Sequence, residues 1–163
     1  MIDEGRLAIY LQDHYAGSAA GIELFRRAAD QQTDPVARTA LTAMAEEVDN
    51  DRVALQRFLE AVGAKPDPVK NASAWLGEKL GRLKPNGELL HRSPLSDVVE
   101  LEALRLAVEG KAAGWRVLRQ LSQDEDRFDA GELDKLLSSA GRQLEKLEEL
   151  RLAAAERVFR QPS

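Results

Sequence analysis

Apolar residues recur at alternating steps of three and four along four stretches of this chain, and that period predicts four amphipathic helices. The first, over about residues 5–29, places Leu7, Leu11, His14, Ser18, Ile22, Phe25 and Ala29 on one stripe. The second, over 35–62, does the same with Leu41, Met44, Val48, Asp51, Leu55, Phe58 and Val62. The third, over 94–121, carries Leu101, Leu104, Val108, Trp115 and Leu118. The fourth, over 130–159, carries Leu133, Leu137, Ala140, Leu144, Leu147, Ala154 and Val158.

Local signals mark the ends of these runs. Asp34-Pro35 offers a cap followed by a residue suited to the first helical position, and Ser93-Pro94 repeats the device. Asp129 with Glu132 three residues on has the spacing of a capping box. Gly63, with Pro66 soon after, is a stop signal. A link of about four residues between the first two helices predicts that they pack antiparallel. The connection over 63–93 is much longer. Its punctuation is Pro66-Asp67-Pro68, Gly81, Pro85-Asn86-Gly87 and Ser93-Pro94. A short helix is expected over Val69 to Leu80, with Trp75, Leu76 and Leu80 inward. Such a crossover can return the chain to its starting end and leave the second and third helices roughly parallel. The expectation is an all-α, single-domain protein over 1–163, a four-helix bundle of two antiparallel hairpins joined by a long crossover.

Composition narrows the chemistry. The chain has 163 residues and no cysteine, which excludes disulfides and thiolate chemistry and fits a cytoplasmic protein. Met1-Ile2-Asp3-Glu4 lacks the positive start of a signal peptide, and no apolar run reaches the length needed to span a bilayer. A net charge of −5 and few aromatic residues argue against nucleic-acid binding. The charge is uneven, however. Between Ala64 and Leu95, six basic residues stand against three acidic ones. That basic crossover is a candidate docking surface for an acidic protein partner or for another subunit.

Polar residues on the apolar stripes come next. His14 and Asp51 lie at similar heights when counted from the first turn, and a carboxylate beside an imidazole can form a charge-assisted hydrogen bond. They are expected as a buried polar pair that fixes register; the alternatives are a metal or substrate role, or Asp51 turned outward with Arg52 in its place. Glu46 with Asp49, and Glu145 with Glu148, have the spacing that projects two carboxylates to one side of a helix. Glu109 is placed to meet Arg142, Glu100 and Glu102 complete the acidic set of the third helix, and His91 is expected on the surface of the crossover. Gly17 and Gly21 read as sites of close helix approach or of a local bend, and the stripe Ala103, Ala107, Gly110 and Gly114 as suited to close helix packing. No phosphate-cradling loop, nucleophile elbow or zinc motif is present, and Ser138 and Ser139 have no histidine partner in view.

The two-hairpin layout, the crossover and the stretch Ala45-Glu46-Glu47-Val48-Asp49 to Arg57-Phe58-Leu59-Glu60 resemble the ferritin-like superfamily over about Leu7 to Val158. The resemblance implies metal ligands near Glu46 or Glu47, Asp49, Glu145 and Glu148. The family's Glu-x-x-His pairs do not occur on the four helical runs, where carboxylates stand in the histidine places. The chain is thus similar to divergent branches in which the bundle persists without its metal centre. The leading expectation is a non-enzymatic bundle without cofactor, acting by association as a homodimer or with a partner. The alternatives are an Fe or Mn protein with a carboxylate-rich site, and a carrier of a small apolar ligand held near Trp115.

Overall fold

The computed structural model describes residues 2–66, 93 and 95–160, and among them it is all-helical. Four helices follow one another: α1 (Glu4–Gln31), α2 (Pro35–Ala61), α3 (Leu95–Leu121) and α4 (Ala130–Phe159). Their ends fall within two residues of the periodic runs. The short crossover helix, Trp75, Leu76, Leu80, His91 and most of the basic charge of the crossover lie outside the described residues.

The caps explain where the helices begin. Asp34 Oδ1 accepts from the Val36 N–H at 2.9 Å, and Ser93 Oγ accepts from the Leu95 N–H at 3.3 Å. Asp3 caps α1 in the same way, accepting from Arg6 N–H at 3.0 Å. Each such cap satisfies an otherwise orphaned donor and is worth about 1 kcal/mol. At α4, Asp129 accepts from Glu132 N–H at 2.8 Å, but the return half of the capping box is absent. The Glu132 carboxylate instead accepts from Arg57 of α2, so a local motif becomes a tertiary tie. Gly63 ends α2 with φ of 74°, a left-handed conformation that a side chain disfavours. Its N–H reaches Glu60 O, and the Ala64 N–H reaches Leu59 O.

α1 packs chiefly on α2, and α3 on α4, with α1 also touching α3 and α2 touching α4. The cross-helix bonds advance along one helix as they recede along its neighbour. Ser18 meets Arg52 while Arg26 meets Asp49. Arg119 meets Asp134 while Arg151 meets Glu102. Between α2 and α4, Arg57 meets Glu132 and Asp34 meets Arg157. Both loops are pinned. Arg38 donates from Nε and Nη2 to the carbonyl of buried Gln32. Arg127 donates to Ala61 O at 3.1 Å and reaches Glu4 and Glu125 at 2.9 and 2.8 Å. It thereby joins the α3–α4 loop to the start of α1 and the end of α2.

The apolar core forms two clusters, one above the other. One holds Ile22, Phe25, Leu41, Val48, Leu101, Leu104, Val108 and Leu147. The other holds Leu7, Leu11, Leu55, Phe58, Leu59, Trp115, Leu118 and Leu133. Phe58 lies between Trp115 and Phe128, with ring centroids 6.1 and 6.0 Å away. On α1 and α2 the break between clusters falls at a polar residue, Ser18 and Asp51, while on α3 and α4 the polar residues Lys111 and Gln143 lie a turn or less inside the first cluster.

The small residues behave differently from the expected close approach. A Cβ built on Gly114 would lie 3.1 Å from His14 Cε1, so here α1 does press its imidazole against the α3 backbone. Built on Gly21 or Gly110 it meets nothing within 4 Å. These two glycines border open space, because the opposing wall is itself made of small residues. Gly21→Ala and Gly110→Ala are therefore each expected to stabilise the fold by about 0.5–1 kcal/mol through helix propensity. Gly114→Ala should gain less, because His14 must shift. Urea unfolding of the three single variants checks the order.

Candidate functional site

The polar level between the two clusters is built by three helices. Asp51 of α2 is 7% exposed and Gln143 of α4 is 2% exposed. Lys111 of α3 reaches between them. Its ammonium donates to Asp51 Oδ2 and, at 2.6 Å, to Gln143 Oε1. The Gln143 amide then donates to Glu47 Oε2 at 2.7 Å and to Ser139 Oγ at 3.4 Å. Burial pushes the Asp51 carboxyl above its ordinary value, the Lys111 charge pulls against it, and Glu47 adds to the rise.

α1 meets this level from the other side. Arg52, next to Asp51, donates from Nη1 to the Tyr15 carbonyl at 2.7 Å and to Ser18 Oγ at 2.6 Å. Its guanidinium lies 3.8 Å from the centroid of the Tyr15 ring. Ser18 Oγ donates to the same carbonyl at 2.7 Å.

A half-open cavity of about 740 Å³ lies along this level, between α1, α2 and α3. Among the described residues, α1 lines it from Tyr10 to Phe25 and α3 from Val99 to Leu118, while α2 supplies Val48, Asp51, Arg52 and Leu55. Its wall is mostly apolar. Gly17, Gly21, Ala103, Ala107 and Gly110 stand where larger side chains would fill it. Trp115 borders one end, 2% exposed, with its indole N–H enclosed and lacking a partner. Volume, apolar lining and a few converging polar groups are the attributes of a small-molecule site.

His14 and Asp51 both border the cavity, but the pair expected between them is not the one formed. Asp51 is held by Lys111, whose longer side chain reaches into the core from α3. His14 instead lies half-buried on Gly114, edge-on to Tyr10 with centroids 4.6 Å apart. Desolvation lowers its pKa below the ordinary value, with the Asp13 charge opposing.

The four carboxylates considered for metal do not come together. Glu46, Asp49 and Glu145 are exposed, and Asp49 accepts from Arg26 at 3.4 Å. Glu148 is held by Arg151 at 2.7 Å and by Arg105 at 3.3 Å, which keeps its pKa below the usual carboxylate range. Among the described residues no group of three His, Cys, Asp or Glu could hold a metal ion. The Glu-x-x-His spacing does occur once in the chain, at Glu88 and His91, in the crossover outside the described residues. Glu109 pairs with Arg116 at 2.7 Å, and Arg142 donates to Ser138, so the Glu109–Arg142 pair does not form. Glu102 reaches Arg151, and Glu100 lies half-buried on α3.

Lys111 and Gln143 were missed by the sequence reading, although the signal was present. Lys111 continues the series Leu101, Leu104, Val108 at a core position, and Gln143 stands three residues after Ala140 and four before Leu147. Compared with known protein families, with curated proteins and with solved structures, the chain finds no match.

Two outcomes follow from this chemistry. Asp51→Ala strands the Lys111 ammonium and should cost about 3 kcal/mol in urea unfolding. The double variant Asp51→Leu/Lys111→Met, which removes both charges, should recover most of that loss. The His14 effect has a definite sign. Its folded pKa lies below the unfolded value of 6.5, so the unfolded chain takes the proton first. Stability therefore falls as pH drops from about 6.5 through the folded pKa. Asp51, raised in the fold, acts oppositely, favouring the fold as pH falls toward 3.8. His14→Gln should lose less in Tm than the parent between about pH 8 and about pH 5.

Proposed function

We propose that the protein is a non-enzymatic helical bundle, ferritin-like in its connectivity, that binds a small apolar molecule between α1, α2 and α3. The observation that carries this reading is the cavity of about 740 Å³, apolar along most of its wall and bordered by Trp115. Facing small residues on two adjacent helices keep it open. Their placement gains no tight helix contact at Gly21 or Gly110, which a purely structural role would require.

Support for the connectivity comes from the direction of the cross-helix bonds. They run oppositely within α1–α2, within α3–α4 and between α2 and α4. That combination is the one expected of two antiparallel hairpins with α2 and α3 parallel, and it supports this connectivity. Among the described residues no helix is long and apolar enough to cross a membrane. Iron or manganese binding, homodimerisation and an acidic partner at the basic crossover draw no comparable support from the described residues.

A fluorescence titration tests the reading. In a Trp75→Phe background, Trp115 is the only tryptophan. N-phenyl-1-naphthylamine is expected to change Trp115 emission saturably. Gly110→Phe, placed where a Cβ meets nothing within 4 Å and aimed at filling the void, should keep the helical circular dichroism and abolish the change. Trp115 emission that stays flat with the probe, or a response that survives Gly110→Phe, overturns the proposal.

A further inference from the structure

The cavity is elongated and has a distinct polar middle. From Tyr10 to Phe25 it follows α1 for about 22 Å. Ser18, Arg52, Asp51 and Lys111 border it near the centre of that length. Beyond them, toward Leu24 and Phe25 on α1 and Ala103, Leu106 and Ala107 on α3, the wall is apolar except for Glu102, which is paired with Arg151. From Ser18 to Phe25 that section is about 10 Å long, the reach of a medium-length alkyl chain.

The charges along the wall are not equivalent. Lys111 is already neutralised by Asp51, and Glu102 is bonded to Arg151. Asp13 lies at the exposed rim. Arg52 differs from all of these. Nη1 is anchored by the Tyr15 carbonyl and Ser18 Oγ, and the guanidinium plane rests on the Tyr15 ring. No carboxylate among the described residues bonds it. Its Nε and Nη2 groups are left to present donors from a fixed position, the arrangement in which arginine recognises a carboxylate by parallel hydrogen bonds.

We infer that the ligand is a single-chain carboxylate of medium length, its head group bonded to Arg52 and its alkyl chain lying between α1 and α3 toward Phe25 and Ala103. This rests on the cavity being a binding site and adds the chemical class of what enters it. Fixing the guanidinium before binding lowers the ordering cost of recognition, and the small-residue wall admits the chain. The polar middle thus serves two ends: the Asp51–Lys111–Gln143 side closes the core, while the Arg52 side reads the ligand.

Calorimetric titration of the full chain with decanoate, 1-decanol and decylammonium tests the inference. Decanoate is expected to bind at least about tenfold more tightly than either of the other two. Arg52→Gln should remove that preference and leave 1-decanol binding unchanged, which also shows that the variant keeps its cavity. Equal affinity for decanoate and 1-decanol, tight decylammonium binding, or a decanoate preference that persists in Arg52→Gln overturns the assignment of Arg52 while leaving the cavity as a binding site. If none of the three binds and Gly110→Phe changes nothing, the cavity reading and this inference both fail.

Discussion

The ammonium of Lys111, enclosed between Asp51 and Gln143, is the constraint on which this bundle depends. A buried charge is tolerated only with its partners in place, and here the partners come from α2 and α4 while the charge comes from α3. A one-turn slip that set Leu55 of α2 or Leu147 of α4 opposite Lys111 would leave the charge short of a partner in the interior. Leucine and valine clusters above and below would tolerate such slips far better, because apolar packing is weakly directional. The polar level therefore supplies register that the two apolar clusters supply less sharply, and it does so close to where they meet.

That same level places the cavity. Where α2, α3 and α4 meet, the bond network fills the interior. Where α1 and α3 border the cavity, Gly17 and Gly21 line it on one side and Ala103, Ala107 and Gly110 on the other, and a Cβ at Gly21 or Gly110 would meet nothing within 4 Å. Gly114 is the exception, since His14 reaches it and closes the contact. The site is thus a consequence of which side chains are short. Its polar groups are the flank of a register device that the fold needs in any case. Arg52 stands next to Asp51 in the sequence and is turned by one helical step toward α1, so one segment of α2 contributes to both the core network and the cavity wall.

Surface chemistry behaves more simply. Glu46, Asp49, Glu145 and Glu148 occupy exposed or half-exposed positions, and the arginines near Asp49 and Glu148 take their charge into ordinary ion pairs. Such pairs in water contribute little each. Arg127 differs in what it joins, binding a loop to the ends of two helices through Ala61 O, Glu4 and Glu125. It holds the bundle end nearest Phe128 closed against the aromatic cluster of Phe58 and Trp115.

The sequence by itself determined the four helices, because helix period and capping are local properties. Asp34, Ser93 and Asp129 act within three residues of themselves, and Gly63 needs only its own φ. Asp51 could be singled out too, since a carboxylate on an apolar stripe is visible as a break in period. Its partner could not, because nothing local distinguishes His14 from Lys111 as the group that reaches it. That choice depends on side-chain length across a helix interface, and the longer lysine on α3 wins. The glycines make the same point from the other side. Their spacing was legible, but whether a small residue admits a neighbouring helix, as at Gly114, or leaves a void, as at Gly110, is decided by what stands opposite. Only the tertiary structure brings those opposing walls together, so only there does a stripe of small residues become a cavity.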